Sequence, residues 1–159
     1  MRCALITAED SYEKTTQYAS LSLTEIMKRM LHVFAGKFAS RDEACLYTEP
    51  QWEPEPNDTV SDEEYAAWEA RNPIWQFRDD LGDVYLDSDF IETIDGHRRY
   101  EYLKSYLVEQ NDLRKIEDIA ADANVLLLIF PDAFGEFEAT LHSTPRMVYC
   151  GAFDFYWPQ

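Results

Sequence analysis

The sequence predicts an α+β fold: a single domain in which a mostly antiparallel sheet packs against a layer of helices. Three observations carry this. A continuous apolar run, Val125-Leu126-Leu127-Leu128-Ile129-Phe130, has the length of a strand and lacks the alternation of a half-exposed one. Ser-x-x-Glu openings, the pattern in which serine and glutamate satisfy each other's backbone donors at a helix start, recur at Ser22, Ser40 and Ser61. Strand-like segments near the C-terminus are separated by a Thr144-Pro145 turn. At 159 residues one core closes comfortably, hiding ~70% of the surface that the unfolded chain exposes.

Taken in order, residues 1–29 read as an N-terminal extension with a short helix opening at Ser22, and 30–159 as the domain proper. Residues 30–38 read as a strand and 41–48 as a helix capped by Ser40. Pro50, Pro54 and Pro56 alternate with Glu49, Glu53 and Glu55; each proline removes a donor and fixes φ, which predicts an extended acidic loop within an insertion at about 49–73. Ser61 then opens a helix carrying Tyr65 and Trp68 on one side, which stops before Pro73.

A short helix over 74–81 is expected to end at Gly82 in a left-handed conformation. Segments 84–86 and 90–94 are short strand or irregular candidates. Residues 100–108 predict a helix, and Asn111-Asp112 is expected to cap the next one, with Leu113, Ile116 and Ala120 on one face. Residues 137–141 and 147–155 read as antiparallel strands.

The net charge of −17 is concentrated: residues 42–95 hold seventeen acidic and two basic groups, a net of −15. Such a field excludes polyanions and draws in basic partners, so direct nucleic-acid binding is not expected. A solvated face that only aids solubility would use the same acids. No run approaches the ~20 apolar residues of a membrane helix, and the first apolar stretch ends in Glu9-Asp10, which does not read as an export signal. Three scattered cysteines, Cys3, Cys45 and Cys150, fit a reducing cytoplasm rather than a disulfide scaffold or zinc site.

No arrangement pairs a base with a nucleophile, since His32, His97 and His142 are scattered, so no catalytic residue and no cofactor are assigned. Asp87, Asp89 and Glu92 are spaced like carboxylate metal ligands, but the calcium loop needs glycine at its sixth position, where Glu92 stands, and no metal is assigned. Cys45 and Cys150 fall inside regular elements, where a buried thiol packs as a small hydrophobe. Aromatic residues interleave with the acids. Trp68, Trp75 and Phe77 read as core, whereas Trp52, in the proline-rich loop, is the best exposed candidate for an interface anchor, with Tyr85 a further aromatic candidate in the acidic third.

The order of several segments resembles the immunity protein 22 family of bacterial polymorphic toxin systems. The similar parts are 31–38, the helix start Ser40-Arg41-Asp42-Glu43, Gln76-Phe77-Arg78-Asp79-Asp80-Leu81-Gly82, the segment 85–92, the run 125–130, and Gly151-Ala152-Phe153-Asp154-Phe155. The likeness spans roughly 30–156, and the insertion at 49–73 looks longer than the family pattern. The resemblance implies a non-enzymatic protein that binds and neutralises a cognate toxin domain, with a basic nuclease as the leading target. Trp52, Asp79, Asp80, Asp83, Tyr85, Asp87, Asp89 and Glu92 are the candidate partner-binding residues. An acidic nucleic-acid mimic that inhibits a restriction or defence enzyme is the alternative, and a metal-dependent enzyme using Asp87, Asp89 and Glu92 a third.

Overall fold

The first strand, β1 (Leu31–Gly36), is buried along its whole length, because it lies inside the sheet and is covered on both faces. A computed structural model describes residues 29–82 and 84–156; the helix expected to open at Ser22 lies outside them. After β1 come α1 (Arg41–Thr48), α2 (Asp62–Arg71), α3 (Gln76–Asp80), β2 (Ile91–Asp95), α4 (Arg99–Lys104), α5 (Gln110–Ile119), β3 (Val125–Ile129) and β4 (Met147–Phe153). Short 3-10 turns occupy Ser88–Phe90 and Pro131–Phe134.

Among the described residues, four strands form one antiparallel sheet in the order β2-β3-β1-β4. Successive side chains of a strand point to opposite faces, so β3 feeds two separate cores. Leu127 and Ile129 pack with Phe34, Tyr47, Trp75 and Phe77 beneath α1 and α3, whereas Leu126 and Leu128 pack with Leu31, Val33, Leu103 and Ile116 beneath α4 and α5. Each fully buried leucine, isoleucine or phenylalanine contributes about 1.5–3 kcal/mol. The structure has the α+β architecture expected from the sequence, an antiparallel sheet packed against helices, and the helices lie on both faces, as the unbroken apolar run of a central strand requires.

Local signals explain most boundaries. Ser40 accepts a hydrogen bond from Glu43 N, and Ser61 with Glu64 forms the complete reciprocal capping box. Gly82 ends the α3 segment with φ of 90°, the region that glycine enters without penalty. Segment 90–94 resolves as β2, while 84–86 is irregular.

Four expectations are corrected. The helix expected over 74–81 is the shorter Gln76–Asp80. The one expected to reach Val108 ends at Lys104, because Leu107 bridges to Phe155 and Val108 N donates to Asp154 O. Asn111 and Asp112 do not cap α5, which begins at Gln110 after Glu109; Asp112 sits in its first turn and pairs with Lys115 at 2.7 Å. Residues 137–141 form no strand. Instead the adjoining Ser143 and Thr144 hydroxyls cover the start of β4, accepting from Tyr149 N at 2.9 Å and Met147 N at 3.0 Å.

Candidate acidic lobe and loop surfaces

The insertion is a lobe closed at its base. Gln51 and Ile74 exchange both backbone hydrogen bonds at 2.8 Å, so the chain leaves and re-enters the domain at adjacent points. Below the bridge, Trp75 Nε1 donates to Thr48 O at 2.8 Å, and the Thr48 hydroxyl meets Thr93 Oγ1 at 2.7 Å, tying the lobe's root to β2. Asn72 is a second fastening, accepting from Glu53 N and donating to Trp68 O.

No residue of α2 belongs to either core. Trp68, buried, lies 6.2 Å from Trp52 and 5.5 Å from Tyr65 between ring centroids, and this trio is the lobe's own small apolar centre. Helical spacing puts Tyr65, Trp68 and Asn72 on the side facing the loop, leaving Asp62, Glu63, Glu64 and Glu69 exposed on the remainder. Those four acids, with Glu55 and Asp58, have no cation within ion-pair distance among the described residues, whereas Glu53 pairs with Arg71 at 2.6 Å. The Arg71 guanidinium and the Asn72 amide hold Glu53 below the usual carboxylate range.

The candidate residues are divided by the fold. Trp52 is 62% exposed on the lobe. Asp79 and Asp80 lie on α3; Asp79 is exposed with Arg78 at 3.7 Å, but Asp80 accepts from the buried Tyr47 hydroxyl at 2.6 Å and from Gln76 Nε2 at 2.8 Å. Asp80 is thus committed to the fold. Glu92 lies on the opposite side of the sheet, where it accepts from Tyr102 of α4 at 2.8 Å. Asp87 caps the 3-10 turn by accepting from Asp89 N, leaving Asp89 exposed, and Asp83 lies outside the described residues. The structure therefore does not gather these acids on one face.

Tyr85 stands elsewhere again, 50% exposed, with the ring of Phe137, itself 59% exposed, at 4.8 Å. Two loops distant in sequence are joined here by Asp87 N donating to Ala133 O at 2.7 Å. Gly135, at φ 54°, lets the rings approach, because a Cβ there would come within 3.2 Å of Tyr85. Phe137, Glu136 and Glu138 were missed in the sequence, where 137–141 passed for a strand. No local signal tied that segment to Tyr85.

Among the described residues, no group of three or more His, Cys, Asp or Glu could hold a metal ion. Burial pushes the Cys150 thiol up to about 11, and burial followed by the neighbouring Glu49 raises that of Cys45, so both stay protonated near neutrality. His32 is buried, with Nδ1 2.8 Å from the Tyr149 hydroxyl and an edge contact to Phe134. No helix among the described residues is long and apolar enough to cross a membrane.

The fold and these surfaces define a small antiparallel α+β protein bearing an anionic lobe outside its cores. Compared with family models, with curated proteins and with solved structures, the chain matches none.

Proposed function

We propose that this protein is a cytoplasmic immunity protein, which binds a cognate bacterial toxin domain with a basic surface, such as a nuclease, and blocks it without catalysing a reaction. One observation carries this reading: the α2 lobe contributes to neither core, yet it is fastened at its root and presents exposed carboxylates that the described residues leave without cations. Acids held on a built element, with Trp52 exposed among them, suit a partner of opposite charge, for which the field speeds encounter and the aromatic ring anchors the contact. The segment order that resembles the immunity protein 22 family supports the same reading.

The test is excision of the lobe. Gln51 and Ile74 already sit in a bridge, so replacing 52–73 by an Asn-Gly turn leaves both cores intact. Cells co-expressing the toxin domain encoded beside this gene are expected to survive with the full chain and to die with the excised one, although both fold by circular dichroism. Survival with the excised chain sinks the lobe's role, and death with the full chain sinks the immunity reading. The acidic-mimic alternative predicts instead that the full chain binds several unrelated DNA-binding proteins.

A further inference from the structure

Residues 84–90 and 131–141 contain five carboxylates, Asp87, Asp89, Asp132, Glu136 and Glu138, and neither lysine nor arginine. The fold brings these segments together and sets on them a pair of touching, largely exposed rings, Tyr85 and Phe137. Elsewhere the protein covers such rings with its own guanidinium groups: Arg146 lies 4.5 Å from the Phe38 ring and Arg99 4.6 Å from that of Tyr100. Among the described residues no cation covers Tyr85 or Phe137.

We propose that the Tyr85–Phe137 pair is a second docking point, which receives an arginine side chain of a cationic protein partner on its ring faces while the exposed Asp89, Asp132 and Glu138 of the same two segments hold the charge. An aromatic face attracts a cation through its quadrupole, and the planar guanidinium also stacks on it and meets carboxylates with paired donors. A second copy of this chain is the wrong occupant, since two molecules of charge −17 would oppose acidic rim to acidic rim. The inference deepens the toxin-binding reading and rests on it for the partner's biological identity. It extends the contacts from the acidic middle to the loop at 131–141, which the charge distribution alone does not single out.

The experiment titrates the full chain with a peptide of alternating arginine and glycine at about 0.15 M salt, where unspecific attraction is screened beyond ~8 Å, and follows backbone amides by NMR. Shifts are expected at 84–89 and 134–138. The double variant Y85S/F137S, which removes the rings and no charge, should bind about five-fold more weakly with the rest of its spectrum native. A lysine peptide of equal charge should bind the parent less well than the arginine peptide. Shifts confined to the lobe, equal binding by the double variant, or no preference for arginine would each overturn the proposal. None of these touches the co-expression result, so the two readings fail separately.

Discussion

The Cys150 thiol shows how a residue chosen for packing acquires a pH dependence. It is buried on β4 between the sheet and the helices α4 and α5, and burial also pushes the neighbouring Tyr149 up to about 12. Tyr47 and Tyr102 move in the same direction, chiefly through burial, with their carboxylate partners Asp80 and Glu92 adding to it. All four are neutral when protonated, and the fold keeps the proton longer than the unfolded chain does. Their contribution is therefore whole below about pH 9 and falls as pH rises, first through the Cys150 window between about 9 and 11 and then through the tyrosines above about 10. Urea midpoints followed from pH 7.5 to 11 should drop steeply. Cys150→Ala should flatten the part between 9 and 11, removing roughly 2–3 kcal/mol of the pH-dependent loss. An unchanged slope would show that the thiol titrates alike in both states. At this scale the sequence spoke clearly only where the signal is local. Trp68, Trp75 and Phe77 were expected inside and are buried, but the commitment of Asp80 to Tyr47 spans 33 positions and depends on α1 and α3 sharing one face of the sheet.

Among the elements, α2 is the one whose existence rests most on its cap. It belongs to neither core, and its ring contacts are with Trp52 of the loop, so the reciprocal bonds between Ser61 and Glu64, at 3.2 and 3.1 Å, form a large share of what holds its first turn. Three acids in that turn favour the positive end of the helix dipole, yet they repel one another. Ser61→Ala should cost about 1 kcal/mol locally, read as faster amide hydrogen exchange over 62–68 with no change in the β3 amides. Equal acceleration in β3 would mean that the lobe and the cores unfold as one unit. The caps at Ser40 and Ser61 were legible because a capping box is complete within four residues. Segment 137–141 was misread because its apolar spacing mimics a strand, while its actual conformation follows from the Gly135 turn and from hydroxyls that replace the ladder beside β4.

For the whole molecule, the −15 carried by residues 42–95 acts with opposite sign on folding and on the proposed association with a basic partner. Within the chain the carboxylates repel, and only Glu43, Glu53, Asp79 and Asp95 of that stretch pair with cations among the described residues. Raising salt from about 0.01 to 0.15 M shortens the screening length from ~30 to ~8 Å, so the urea midpoint should rise. Association with a basic partner should slow over the same range by about ten-fold or more. A stability indifferent to salt would mean that the charges are too dispersed to feel one another. Sheet order and the division of the acids between two sheet faces were invisible beforehand, because both are set by which strands pair across gaps of roughly thirty residues or more.

The bridge between Gln51 and Ile74 has a last implication, for how such a chain can change over generations. Two backbone hydrogen bonds make the root of the lobe indifferent to what hangs from it, so insertions, losses and wholesale exchange of the intervening stretch disturb neither core. Under the proposed toxin-binding role, recombination at two neighbouring points would exchange the binding lobe and leave the scaffold intact.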